Sequence, residues 1–293
     1  MTEMAIHAHN LWKSFGTSQV LRGIDLEILT GTVVGLLGAN GTGKSTLIKC
    51  LVGLLRPTKG TSQLLGDDSQ NLSATVKERL GYVPQDIRLY SWMTVAQIIQ
   101  YTSAYYPRWD SGLIDKLIAQ WELPLKHRVG PLSPGQLQKL GLLLAMGPRP
   151  DLLILDEPVA ALDPLARREF LRSLLEFAQE ENKTILFSTH ITSDLERVAS
   201  HVVMLRGGKV DLFEELDMLK DRVKRIRLAA PHDLPGDFSI PAALHTEVNG
   251  RIAVVTVVGA NDALAASLRE KWNAEVRVED LNLGLTHKWW ARG

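Results

Sequence analysis

The sequence predicts an α/β protein, a largely parallel sheet with helices on its faces, followed by a small C-terminal α+β domain. Three observations carry this. Compact apolar runs of the buried-strand type stand at Val33–Leu37, Leu80–Val83, Leu152–Leu155 and Thr184–Ser188. Helical patterns fall between them, notably at 94–106, 112–121, 136–146 and 165–181, and strands alternating with helices imply a parallel sheet. After Leu219 the character of the chain changes.

Along the chain, residues 5–36 read as short strands with turns, and the run Val33–Leu37 stops at Gly38. A helix begins at Lys44 and runs to about Leu54, where Arg56-Pro57-Thr58-Lys59-Gly60 breaks the pattern. All five tyrosines lie between Tyr82 and Tyr106, followed by Trp109 and Trp121. This predicts a helical subdomain, about 86–146, in which most of these rings are core and Asp86–Trp92 is a docking surface for a partner. Beyond residue 221, Arg222-Val223-Lys224-Arg225-Ile226-Arg227 reads as a solvated strand edge, where charge discourages unwanted pairing. Pro231, Pro235 and Pro241 then punctuate a linker-like stretch. A strand at Arg251–Val258, a helix at Ala260–Trp272 and a strand at Glu275–Val278 complete an appended domain, residues 222–293. Its Trp289-Trp290 pair is expected to dock on that domain.

Composition narrows the classes. Of 293 residues, 45% are hydrophobic and 23% charged, which fits a soluble globular chain and excludes wholesale disorder. Lys+Arg and Asp+Glu balance at 33 each, so no global positive field gathers nucleic acid or acidic membrane. The single cysteine, Cys50, excludes a disulfide framework within the chain and fits a reducing setting. Met1–Asn10 lacks the apolar stretch of a secretory signal. No run approaches the ~18 apolar residues of a membrane span.

The chemistry begins at Gly38-Ala39-Asn40-Gly41-Thr42-Gly43-Lys44-Ser45, which fits G-x-x-x-x-G-K-[ST] in full, between a β-type run and a helical pattern. Gly41 and Gly43 let the backbone bend so that successive N–H groups face phosphate oxygens. The helix start adds its positive dipole end. Lys44 is placed for the β- and γ-phosphates of a nucleotide, and the Ser45 hydroxyl for Mg²⁺. Gly38, Asn40 and Thr46 complete the nucleotide-binding set. A second element, Leu152–Leu155 followed by Asp156-Glu157, ends a buried strand in two carboxylates that point to different sides. Asp156 is placed to hold Mg²⁺ and Glu157 to polarise an attacking water.

With these motifs in place, residues 5–220 resemble the ATP-binding subunits of ABC transporters. The fold implied is a P-loop NTPase core of ABC type with an inserted helical subdomain. Leu132-Ser133-Pro134-Gly135-Gln136 resembles the signature motif, usually LSGGQ. In this family it closes over ATP held by a second subunit, which makes Ser133, Gly135 and Gln136 nucleotide contacts. Ser133 and Gln136 also have the spacing of a helix capping box, with Pro134 at the first helical position. Pro134 departs from the motif and removes one backbone N–H, which is expected to reduce activity. Gln85 matches the Q-loop, implying a contact to Mg²⁺ and to the attacking water. His190 matches the switch histidine, Ala161-Leu162-Asp163 the D-loop at the dimer interface, and Phe15 the aromatic that stacks on adenine, with Trp12 the competitor. Tyr106–Asp110 and Leu186–Glu196 resemble a bacterial exporter-type branch, some of whose members are linked to envelope stress or peptide-antibiotic resistance.

The resemblance implies an ATPase using ATP and Mg²⁺, with Glu157, His190 and Gln85 as catalytic residues and Ser45, Gln85 and Asp156 at the metal. It implies a second ATP-binding subunit, identical or paralogous, and a separate transmembrane permease that places the chain on the cytoplasmic face of the membrane. The expected cargo is a peptide, antibiotic or lipid-like substrate. No nucleic-acid partner is expected: the interval from Gln85 to Ser133 has no room for the coiled coil of DNA-repair relatives, and the net charge is zero. The alternatives are a soluble non-transport ABC ATPase, for example in iron–sulfur assembly, and a catalytically weak nucleotide-sensing module.

Overall fold

The computed structural model describes residues 3–160, 162–236, 238–240 and 243–280. Ala161, Pro241 and the Trp289-Trp290 pair therefore lie outside the described residues. The chain forms two compact units that divide between Phe213 and Glu214.

The first unit opens with β1 (Met4–Phe15), β2 (Ser18–Leu29), β3 (Val33–Leu37), α1 (Lys44–Leu51), β4 (Lys59–Leu64) and β5 (Asp67–Asp68). Then come α2 (Ala74–Glu78), β6 (Leu80–Val83), α3 (Val95–Ser103), α4 (Ser111–Gln120) and α5 (Pro134–Met146). It continues through β7 (Leu152–Leu155), α6 (Pro164–Ala178), β8 (Thr184–Thr189), α7 (Thr192–Val198) and β9 (His201–Arg206) to β10 (Lys209–Glu215). One sheet is four-stranded, in the order β2-β1-β4-β5; the other is six-stranded, in the order β10-β9-β3-β8-β7-β6.

In the larger sheet, β3 pairs in parallel with β8 and β9, and β7 with β6 and β8. Strands β3, β7 and β8 are buried at every residue, which is why they read as unbroken apolar runs. Strands β1 and β2 instead mix buried and exposed positions. Ile6 and Leu11 of β1, Ile24 and Ile28 of β2, Leu47 and Leu51 of α1, and Leu36, Ile154 and Leu186 of the parallel sheet share one core. Helix α1 thus belongs to the same buried layer as both sheets, and the loop leading into it is held from either side.

Cys50 is fully buried in that core, and burial pushes its thiol up to about 11. At pH 8 the folded chain therefore holds almost no thiolate. A thiol reagent such as Ellman's is expected to leave the native protein unlabelled and to react fully once denaturant unfolds it. Rapid labelling of the folded chain would place Cys50 outside the core.

Helices α3, α4 and α5 begin on side-chain caps. Thr94 and Gln97 form a capping box, Asp110 accepts the Leu113 N–H at 2.8 Å, and Ser133 and Gln136 form a second box. The far end of α5 lies hard against β6: a Cβ on Gly81 would stand 2.7 Å from the Ala145 carbonyl oxygen. The expected aromatic core is corrected here. Tyr90, Tyr101 and Tyr105 are exposed, as is Trp92. They meet in tilted and edge-to-face pairs, with ring centroids 5.2–5.8 Å apart, and the Tyr105 hydroxyl donates to that of Tyr101 at 2.9 Å. Only Trp121 among these rings is fully inside; Tyr82, Tyr106 and Trp109 are half-buried. Among the described residues no helix is long and apolar enough to cross a membrane.

The second unit contains α8 (Leu216–Arg222), β11 (Val223–Ala229), β12 (Ala243–Asn249), β13 (Ile252–Val258), α9 (Asp262–Trp272) and β14 (Glu275–Asp280). Its sheet runs β12-β13-β11-β14, antiparallel throughout. The basic run is therefore not a strand edge: β11 is paired on both sides. Ile226 and Leu228 face the core, while opposite charge comes from the neighbouring strand, with Lys224 Nζ 2.8 Å from Asp280. The proline-punctuated stretch is not a linker either, because Ala230, Leu234, Phe238 and Ile240 are buried in the core of this unit.

Candidate active site

The site is built where β3 ends. The chain turns at Gly38, and α1 starts at Lys44. Gly43, the residue before α1, sits at φ 105°, a conformation that strains any side chain. A Cβ on Gly38 would stand 2.6 Å from Thr42 Oγ1 and 2.8 Å from the Leu205 carbonyl oxygen, so the loop closes only around a glycine there. Thr42 Oγ1 donates to the Ala39 carbonyl at 2.9 Å and pins the loop. No side chain caps α1, which leaves the N–H groups of its first turn available to an anion.

Lys44 is almost fully buried. Its Nζ donates to the Gly38 carbonyl at 2.7 Å and the Ala39 carbonyl at 3.3 Å, folding the side chain back over the loop. It also stands 3.2 Å from Glu157 Oε1, an ion pair rather than an aligned hydrogen bond. Glu157 and Asp156 follow β7 and are both buried. Glu157 Oε2 meets His190 Nδ1 at 2.9 Å. Glu157 thus lies between an ammonium and an imidazole, with its backbone at φ 50°. His190, just beyond β8, is held by a tight turn in which the Ile191 N–H donates to Thr189 Oγ1 at 2.9 Å. Nearby, Asp194 of α7 accepts from Arg167 Nε of α6 at 2.7 Å. Burial raises the Asp194 carboxyl, and Arg167 opposes that rise.

Asp156 is fully buried; its Oδ1 accepts from Ser188 Oγ at 2.7 Å and its Oδ2 has no hydrogen-bond partner among the described residues. An orphaned buried carboxylate oxygen is costly. Asp156 adjoins Glu157, which lines an open cleft with Ser45 and Gln85, and a carboxylate, a hydroxyl and an amide carbonyl are the oxygen donors that suit a hard cation. The residues present fit Mg²⁺.

The cleft over the loop is lined by Val20, Asn40, Gly41, Gly43, Lys44, Ser45, Thr46, Gln85 and Glu157. Gly38 and His190 join it through their contacts with Lys44 and Glu157, and Asp156 precedes Glu157 in the chain. Phe15, Ser133, Gly135, Gln136 and Asp163 do not line it. Phe15 is an exposed ring with Lys13 Nζ 5.0 Å from its centroid. Trp12 is engaged elsewhere, its Nε1 donating to Asn10 Oδ1 at 2.7 Å. Ser133 and Gln136 cap α5 reciprocally at 3.2 and 3.0 Å. Pro134 occupies the first helical position, where its missing N–H breaks no helical bond. Asp163 caps α6 by accepting from the Leu165 and Ala166 N–H groups, and those bonds hold its carboxyl below the usual range. Sequence reasoning missed Val20 and Ser188. Val20 enters because β2 passes the loop, a long-range placement without a local signal. Ser188 could have been found from its place two residues before His190.

A glycine-rich phosphate loop between β3 and α1, facing two acids at the end of β7, defines a P-loop nucleotide-binding protein. Comparison with known proteins narrows the class. The family described as "ABC transporter" matches residues 21–160. An uncharacterised ABC transporter ATP-binding protein, YxlF of Bacillus subtilis (strain 168), is 34% identical over 73% of this chain and 72% of its own length. The Nod factor export ATP-binding protein I of Rhizobium meliloti (strain 1021) is 35% identical over 84% of this chain and 76% of its own length. A solved structure of the ATP-binding subunit of an ABC transporter superposes with a TM-score of 0.67 at 28% identity, covering 74% of this chain and 92% of the other. The chain belongs to the ATP-binding proteins of ABC transporters.

Proposed function

We propose that the protein is the ATP-hydrolysing subunit of an exporter and drives a separate membrane permease. The observation that carries this is Glu157, buried with one oxygen against Lys44 and the other against His190. A carboxylate so placed beside a phosphate loop suits a general base for water attacking a γ-phosphate. Gly38, Asn40, Gly41, Gly43 and Thr46 cradle the phosphates with main-chain and side-chain donors, and Lys44 meets their charge. Ser45, Asp156 and Gln85 would hold Mg²⁺, which would supply charge neutralisation at the phosphates. Glu157 takes the proton of the attacking water. His190, fixed to Glu157 through Nδ1, keeps that carboxylate oriented.

Residues that cap helices away from the cleft take their role from a second copy or paralogue. Ser133, Gly135, Gln136 and Asp163 of one subunit complete the site of the other, and Phe15 stacks on the adenine. ATP then favours the closed pair because only that state completes both sites. Pro134 leaves the α5 terminus one donor short at this interface. The proposed ATPase domain, residues 1–221, runs eight residues past the division between Phe213 and Glu214, and the accessory domain follows as residues 222–293. The chain is peripheral, on the cytoplasmic face. The exposed rings around Tyr90 and Trp92 support a docking surface at Asp86–Trp92. Export is supported by the Nod factor export relative.

Affinity purification of the tagged chain from membranes, followed by ATPase assay with and without the copurified protein, tests this. The expected result is a polytopic membrane partner that raises ATP turnover. A chain that purifies alone from membranes and hydrolyses ATP at one unchanging rate would defeat the transporter coupling.

A further inference from the structure

Ser188 lies in β8 one step beyond Phe187, which is paired with Leu155 at the end of β7. It is fully buried, so its hydroxyl serves only neighbouring protein groups. Those groups belong to the two acidic residues. Ser188 Oγ donates to Asp156 Oδ1 at 2.7 Å and accepts the Glu157 N–H at 2.8 Å. A hydroxyl has one proton to give and two lone pairs, and here a single hydroxyl joins the Asp156 side chain to the Glu157 main chain.

Two consequences follow. With Oδ1 engaged, Asp156 keeps Oδ2 as its unpartnered oxygen, so the hydroxyl selects which oxygen meets a cation. The Glu157 backbone is left-handed, at φ 50°, and such a conformation persists in a residue other than glycine only where its surroundings hold it. The Ser188 hydroxyl satisfies the buried N–H of that turn, the turn that directs the carboxylate onto Lys44 and His190.

We propose that Ser188 is a positioning residue that sets the metal-facing oxygen of Asp156 and the aim of Glu157 together. This rests on the assignment of Asp156 to Mg²⁺ and of Glu157 to the attacking water. Partners orienting a metal ligand typically matter by 10–100-fold in metal affinity or activity.

The test compares the full chain with Ser188→Ala and Ser188→Thr, using two readouts. Calorimetric ATP affinity is measured with Mg²⁺ and with chelator, and kcat and KM are measured in steady state. Ser188→Ala is expected to lose most of the Mg²⁺-dependent gain in affinity, keep its chelator affinity within about twofold, and lower kcat about 10–100-fold with little change in KM. Ser188→Thr keeps the hydroxyl and is expected to restore both. An Ala variant with wild-type kcat and Mg²⁺ gain overturns the proposal. So does one that loses only thermal stability, since a filler role would do the same. Should Ser188→Ala fail to fold, Ser188→Cys, close in volume but a weak donor, carries the same comparison. A chain without ATPase activity would defeat the proposed function, yet its Mg²⁺-dependent affinity would still report on Ser188.

Discussion

Glu157→Gln is expected to lower ATP turnover about 10²–10⁴-fold, the usual range for losing a general base, while nucleotide binding survives. The direction of the binding change follows from the ion pair. In the folded chain Glu157 Oε1 stands 3.2 Å from Lys44 Nζ, so phosphates must compete with a carboxylate for that ammonium. Removing the carboxylate's charge removes the competitor, and ADP affinity is expected to rise several-fold. ADP is the decisive ligand because it reports Lys44 without hydrolysis. Calorimetry of the two proteins, beside a turnover assay, checks both halves. A Gln variant that hydrolyses ATP at the wild-type rate would remove Glu157 from the chemistry. One that binds ADP no better would show that the pair yields to nucleotide without cost.

Lys44→Ala is expected to damage binding and stability together. The ammonium is the buried partner of Glu157 and of the Gly38 carbonyl. Truncating one member of a buried pair leaves a charge behind, at a cost of about 3 kcal/mol. The variant should therefore melt several degrees lower and lose nucleotide affinity by one or more orders of magnitude. The double variant with Glu157→Gln separates the effects. It is expected to recover much of the melting temperature, because neither charge of the pair remains, but none of the binding. Non-additivity in both stability and binding, the Glu157→Gln gain in ADP affinity vanishing once Lys44 is gone, is the signature of the direct contact. Wild-type ADP affinity in Lys44→Ala would overturn the phosphate-loop assignment.

These expectations come from residues the sequence made visible. The phosphate loop, the acids after β7 and His190 are read locally, because each motif and its flanking strand or helix are contiguous in the chain. The unbroken apolar runs at β3 and β7 show for the same reason, and helix α5 announces itself by its capping box. Placements that depend on distant partners do not show. The basic run at Arg222–Arg227 looks like an edge until β13 and β14 pair on both sides of it. Ala243–Asn249 has no compact apolar run, yet β13 recruits it as β12. The tyrosines look like core because aromatic rings usually are, but Tyr101 of α3 and Tyr105 in the turn after it both lie exposed. Ser188 carries a local signal, its place two residues before His190, but its contacts with the two acids appear only once β8 pairs with β7.

The close approach of α5 to β6 has a mechanical consequence. Gly81 admits the Ala145 carbonyl because it lacks a Cβ, so the C-terminal end of α5 is pinned. The helix runs 13 residues from there back to Ser133, about 20 Å at the rise of an α-helix. It behaves as a lever with its fulcrum at Gly81. A tilt of ten degrees swings the Ser133 end through about 3 Å, the span of one hydrogen bond. Gln85 lies in the loop two residues beyond the end of β6, the strand that carries the fulcrum. The Ser133 end can therefore engage or release a ligand while the end held at Gly81 stays nearly still.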